Sequence, residues 1–413
     1  MEALLLLTEK RNKTVKGRMV YNGKPSREWI GKEDSASLTA TLESILITAV
    51  IDAKERRDVM MADVPNAFIQ TVMPKPKDGQ ARVMMKITGV LVDMLVQLDP
   101  ALYGLYIIFE NNRKVLYIQV LHAIYGMLES SLLWYKKFRK DLEKHGFKFN
   151  PYNPCIANCT VAGKQHTIRF HVDDLMSSHE DPRVNDKFLH WLNKMYGGYG
   201  EVKAMRGRTH DYLRMLMMFR KDGKLNVDMS DYVQSMVDDF SKKLKSTDTT
   251  MTPAGENLFD VGDDEPLDKA RMEEFHTTVA KGLFVSKQAR PDIQPTIVGL
   301  CTRVTKPNET DWRKLIHLIK YLNGTRRKIL TLSADTLNVI KWHVDASFAV
   351  HPDFKSHTGA VMTFGEGAVQ SMSRKQKINT SSSTHTELVA ADDAVVMILW
   401  TKMFLEAQGY PVK

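Results

Sequence analysis

At 413 residues the chain exceeds what one ordinary hydrophobic core serves, so two or three domains are expected. Hydrophobic residues at 43% and charged residues at 26% exclude an intrinsically disordered chain. Lysine and arginine outnumber aspartate and glutamate, 58 to 49; the resulting +9 suits a phosphate-rich partner, nucleic acid first, or else a basic surface with no partner.

The Leu run of Met1 to Thr8 is too short to cross a membrane and no signal cleavage site follows it. Basic residues then crowd the chain: Lys10, Arg11, Lys13, Lys16, Arg18, Lys24 and Arg27. With "GRMVYNG" they suggest a basic hairpin turning at Asn22-Gly23. Leu38, Leu42, Ile45, Leu46 and Val50 have helical spacing over 37–57. "VMMADVPNAFIQ" is a short apolar strand carrying Asp63, and "VLYIQVL" (115–121) is another. "SSLLWYKKFRKDLEKHGF" predicts a helix capped at Ser130 or Ser131 and ended by Gly146. A hairpin over 167–179 and a helix over 182–196 come next. "STDTTMTPAGEN", from Ser246, is a polar linker and the first domain boundary. Residues 268–325 are mostly helical; three strands with tight turns and a helix over 384–408 complete the chain. Cys155, Cys159 and Cys301 form no disulfide framework and fit a reducing compartment, and no second ligand pair makes a zinc site of the first two. The expected location is therefore intracellular, cytoplasmic or nuclear, with no membrane partner.

The chemistry concentrates in "TIRFHVDDLMSSH". Asp173 and Asp174 are adjacent carboxylates between apolar flanks, where like charges repel and each unpaired charge costs several kcal/mol. A hard divalent cation with oxygen ligands removes both costs. Two-metal phosphoryl transfer, with ions about 3.5–4 Å apart, needs a further carboxylate from a neighbouring strand. Asp63, a lone acid in an apolar strand, is the best candidate.

These segments resemble the copia-type LTR retrotransposon Pol family. "HVDDL" looks like the Tyr-Val-Asp-Asp-Leu box of reverse transcriptases, and "DVPNAF" resembles their first palm motif. "LHAIYGMLESSLLWYKKF", "ARPDI", "LIKYLNGT" and "SSSTHTELVAA" fit the family in the same order, so the resemblance runs from about Lys10 to Tyr410. It implies an α+β fold: right-hand polymerase fingers and palm over 1–245, a linker and helical connection over 246–335, and a partial RNase H-like domain over 336–413. It implies an RNA-directed DNA polymerase acting on an RNA template, a DNA primer and dNTPs. Asp63, Asp173 and Asp174 would hold two Mg²⁺ ions, with Mn²⁺ as a substitute. Phe68 matches the aromatic gate that excludes a 2′-hydroxyl, although by its pattern alone it is a core residue. Lys16 and Arg18 match the fingers cations that meet the triphosphate, or else form a solvated basic face. Tyr125 and Gly126 match the family's Tyr-Gly beside the nucleotide. Trp134 and Tyr135 are read as helix packing.

Three positions depart from the family. His171 replaces the box's Tyr, Arg214 in "DYLRMLM" stands where Gly is usual, and Pro65 follows Asp63 closely and lacks a backbone donor. In the C-terminal third, Asp345 on a strand and Glu387 in the first turn of a helix resemble two RNase H acids, whereas Asp392 and Asp393 read as solvated helix surface. The family's next acid would follow that helix, so this part is expected to be truncated and without nuclease activity. Two other readings stand beside the polymerase: a catalytically inactive nucleic-acid-binding relic, and, more remotely, a small nuclease built on the C-terminal part.

Overall fold

The computed structural model describes residues 2–9, 15–28, 30–75 and 82–413, in a mixed α and β fold. The first hairpin pairs β1 (Ala3–Glu9) with β2 (Val15–Tyr21), its turn falling outside the described residues together with Lys10, Arg11 and Lys13. This corrects the expected Asn22-Gly23 turn. The Leu run is itself a strand, and Gly23 serves a different contact, described below.

A short helix α1 (Lys32–Ser35) leads to α2 (Leu42–Lys54), which starts later than the apolar spacing suggests because Thr41 caps it, accepting the Ser44 N–H at 3.3 Å. Next come β3 (Asp58–Asp63), β4 (Met84–Thr88), α3 (Val90–Leu98), α4 (Pro100–Tyr103), β5 (Ile108–Glu110) and β6 (Arg113–Gln119). Helix α5 (Ser130–Lys144) ends at Gly146, whose φ of 97° only glycine adopts freely. It is followed by β7 (Lys148–Asn150), β8 (Asn153–Val161), β9 (Lys164–His171) and β10 (Asp174–His179). Helix α6 (Pro182–Tyr196) is the predicted one: Asp181 caps it through the Arg183 N–H at 3.0 Å and Pro182 opens it.

The central antiparallel sheet has the order β11-β3-β10-β9-β8-β7, with β11 (Lys203–Met205) on its edge. Buried side chains of α2, α5 and α6, among them Ile47, Phe138 and Leu192, form one continuous core with Met60, Ile168 and Leu175 of the sheet. A smaller core of Tyr21, Met85, Ile87, Val92, Leu116, Val120 and Met127 lies under the β4-β6-β5 sheet.

Beyond these lie β12 (Thr209–Tyr212), β13 (Met215–Phe219), β14 (Leu225–Asp228) and α7 (Ser230–Asp239). After an irregular stretch that contains the expected linker come α8 (Lys269–Gln288), α9 (Gln294–Cys301) and α10 (Glu309–Gly324), the last with an Asn308/Asp311 capping box. The chain then returns to β15 (Leu330–Ala334), which pairs with β14 and with the two-residue β18 (Gly365–Glu366). Strands from either side of position 245, and from either side of position 335, thus share one sheet. The C-terminal sheet, β16-β17-β19, comprises β16 (Lys341–Ser347), β17 (His357–Thr363) and β19 (Gln370–Lys375), with the long α11 (Ser383–Ala407) packed across β16 and β17.

The end of α11 is fastened to the central sheet. The side-chain amides of Asn150, Asn158 and Gln165 bond to Phe404 and Gln408, and the Tyr410 hydroxyl both accepts from Arg57 at 2.8 Å and donates to Glu55 at 2.7 Å. Arg57 and Arg169 in turn approach the buried Asp52, at 3.7 and 2.6 Å, and Asp52 accepts from Ser178 of β10. Among the described residues no helix is long and apolar enough to cross a membrane.

Candidate functional site

The register of the central sheet brings the two acidic motifs together. Asp174 opens β10 directly opposite Asp63 at the end of β3, and on its other side it faces His171 of β9. Residues directly opposite one another project from the same face of a sheet. The β9–β10 hairpin therefore turns on two residues, Val172 and Asp173, which places the second carboxylate at the tip. Lys203 of β11 faces Asp63 from its far side, so Lys203, Asp63, Asp174 and His171 form one row across four strands.

The electrostatics show the carboxylates acting on one another. Burial first, then Asp173, Asp63 and Asp211, push Asp174 up to about 6. Burial raises Asp173 too and Asp63 adds to the rise, while Arg18 and His171 oppose it. Burial lowers the His171 imidazole, against the pull of Asp173, and its Nδ1 is buried without a hydrogen-bond partner among the described residues. The departure from Tyr thus puts an imidazole beside the acids whose charged form burial disfavours and Asp173 favours. Hard oxygen donors that destabilise one another's charge suit a hard divalent cation. Among the described residues no three His, Cys, Asp or Glu side chains stand as a ready-made metal cage.

Other singled-out residues lie against this cluster. Phe68, half-buried five residues after Asp63, has its ring 4.7 Å from that of Tyr125. The guanidinium of Arg18 sits over the Tyr125 ring at 5.1 Å. Burial raises the Tyr125 hydroxyl, and Asp173 and Asp63 raise it further, which marks the ring as part of the acidic cluster. Gly126 explains how the basic hairpin is seated. Its φ is 92°, and a Cβ there would lie 2.0 Å from the carbonyl oxygen of Tyr21. Tyr21 donates its N–H to the Tyr125 carbonyl at 2.8 Å, and a Cβ on Gly23 would meet the Gly126 carbonyl oxygen at 2.2 Å. Lys16 belongs to the same hairpin, and its side chain lies outside the described residues.

Two features escape a reading of the sequence alone. Trp134, read as helix packing, also donates its indole N–H to the Val172 carbonyl at 2.8 Å. Pro65 is seated in a local frame, where Gln70 donates to the carbonyls of Pro65 and Tyr196. A Trp on an amphipathic helix looks like packing in any sequence; only the fold supplies its polar partner.

Asp345 and Glu387 form a separate place. The Glu387 carboxylate accepts the N–H of Ala346, the neighbour of Asp345, at 3.3 Å. Asp393 is not the solvated surface residue expected: it accepts from Thr358 at 2.9 Å and pairs with Arg374.

The chain is similar in sequence to retrotransposon Pol polyproteins. It is 22% identical over 403 residues to the "Retrovirus-related Pol polyprotein from transposon TNT 1-94" of Nicotiana tabacum, covering 95% of this chain and 28% of that polyprotein. It is 23% identical over 295 residues to the "Putative transposon Ty5-1 protein YCL074W" of Saccharomyces cerevisiae, covering 70% of this chain and 92% of that protein. The Ty1-DR1 Gag-Pol polyprotein of the same yeast is 21% identical over 306 residues, 68% of this chain and 16% of that one. No protein-family model matches the chain. Among solved structures, prototype foamy virus protease-reverse transcriptase is similar at 13% identity and a TM-score of 0.32, over 97% of this chain and 43% of that one.

Proposed function

We propose, for a chain whose sequence relatives are retrotransposon Pol polyproteins, that it is an RNA-directed DNA polymerase of the copia type. In this reading the central sheet is the palm, the basic hairpin and the β4-β6-β5 sheet are fingers, and the helices of 269–324 are the connection. The observation that carries it is the pairing of Asp174 with Asp63, with Asp173 at the adjoining tip.

Asp63, Asp173 and Asp174 would hold Mg²⁺, which when bound supplies charge for activating the primer 3′-hydroxyl and stabilising the pyrophosphate leaving group. The chain's own residues do the rest. Arg18, held over Tyr125, offers a cation to the triphosphate of an incoming dNTP. Phe68, braced by Tyr125, presents an aromatic wall to the sugar and discriminates against a 2′-hydroxyl. The excess of basic residues supports binding of an RNA template and a DNA primer. The C-terminal sheet with α11 reads as an RNase H-like part. Asp345 and Glu387 are two acids where two-metal hydrolysis needs a third, and among the described residues no third stands with them.

The net charge of +9 equally supports a second reading, a nucleic-acid-binding relic without chemistry. Primer extension on a primed RNA template with dNTPs and Mg²⁺ separates the two. The polymerase reading expects extension by the wild type and none by Asp173→Asn, with Phe68→Ala accepting ribonucleotides more readily. Salt-sensitive template binding with no Mg²⁺-dependent extension would leave only the relic.

A further inference from the structure

The hairpin that presents Asp173 is built against its own preference. Two-residue β-turns favour Asn or Gly where φ is positive, and a β-branched residue there is a backbone outlier. Val172 occupies such a position, with φ at 62°. Strained residues persist where their surroundings over-determine them.

The restraint is visible. Trp134, 1% exposed, donates its indole N–H to the Val172 carbonyl, which belongs to the peptide group whose nitrogen is that of Asp173. The indole is itself fixed: it stacks on Phe138 with ring centroids 5.3 Å apart and meets the edge of Tyr196 at 5.3 Å. The Tyr196 hydroxyl is bonded to Asp141 of α5, the helix that carries Trp134. One rigid donor therefore restrains the Val172–Asp173 peptide, the unit from which Asp173 projects.

We propose that Trp134 is a positioning residue that latches the hairpin tip and aims Asp173 at Asp63. This deepens the polymerase reading and rests on it. A group hydrogen-bonded directly to a metal ligand is worth about 10–100-fold in metal affinity or activity; Trp134 acts one step away, through the backbone, so the lower end, about tenfold, is expected.

Trp134→Phe keeps a ring in the core and removes the N–H. The direct measurement is binding of Mn²⁺ alone to the full chain, run beside primer extension and template-primer binding. Trp134→Phe should bind Mn²⁺ about tenfold more weakly and extend more slowly, with template-primer affinity unchanged. In a Val172→Asn background, where the turn is at ease without a latch, the same substitution should cost less than about threefold. A wild type that binds Mn²⁺ and extends primers, beside a Trp134→Phe protein that does both equally well, overturns the latch and leaves the polymerase intact. An equal loss with and without the Val172→Asn change also overturns it, because Trp134 would then serve only the core. A wild type that neither binds Mn²⁺ nor extends removes the polymerase reading, and the latch with it.

Discussion

Asp63 and Asp174 stand directly opposite each other on neighbouring antiparallel strands, an arrangement that places two like charges where a sheet ordinarily avoids them. The pairing brings together two motifs more than a hundred residues apart. Its cost is carried by the fold.

That cost sets a pH dependence. Asp174 titrates at about 6 in the folded chain, against an ordinary value of 3.8. The native state therefore holds this proton more tightly than the unfolded chain does, so metal-free stability falls as pH rises through this window and the penalty is complete above it. The carboxyl is only partly buried, and after allowance for solvent screening the penalty is about 1 kcal/mol. Asp174→Asn should recover that amount at pH 7 without metal and flatten the dependence, as read by urea unfolding at several pH values. Parallel profiles for the two proteins would contradict the assignment. Because metal binding needs the ionised form, Mg²⁺ should stabilise the wild type more strongly as pH rises past the same point.

Gly126 joins the basic hairpin to the acidic cluster. Gly126→Ala would press a methyl group into the Tyr21 carbonyl and strain a φ of 92°. Its expected cost is about 1–3 kcal/mol from backbone strain alone. Because Arg18 reaches the cluster through this hairpin, the KM for dNTP should rise as well. A variant with wild-type KM would show that the hairpin's seat is unnecessary for nucleotide binding.

Arg214 presents the opposite case. Leu213 and Arg214 have φ of 51° and 66° and connect Tyr212 to Met215, which are paired across β12 and β13. Both central residues of this tight turn are left-handed, where glycine is at ease and arginine is not. A glycine at position 214 would thus have a backbone reason. Arg214→Gly should stabilise the chain by about 1 kcal/mol, measured by denaturant unfolding. A loss of stability would mean that the exposed arginine contributes contacts worth more than its strain.

How much of this was written in the sequence depends on how local each cause is. The helix Pro182–Tyr196 was legible because its cap, its first-turn proline and its apolar stripe lie within one stretch. The hairpin carrying Asp173 and Asp174 was legible for the same reason. Asn22-Gly23 misled because that dipeptide signals a hairpin turn, whereas Gly23 is small for the sake of Gly126, about a hundred residues away. Lys203 had no signal at all: a lysine on a three-residue edge strand gains meaning only from the register that sets it opposite Asp63. Asp63 as partner of the Asp pair was inferred from chemistry, and the sheet supplied the adjacency.

The bond from Tyr410 to Arg57 and Glu55 bears on what a cut in the chain would do. A protease cutting the irregular stretch between α7 and α8 would sever the chain without separating its parts. β14 and β15 would still share a sheet across the cut, and the C-terminal end of the molecule would remain tied to the sheet that carries the aspartates. The product would be a nicked, non-covalent heterodimer, not two free proteins.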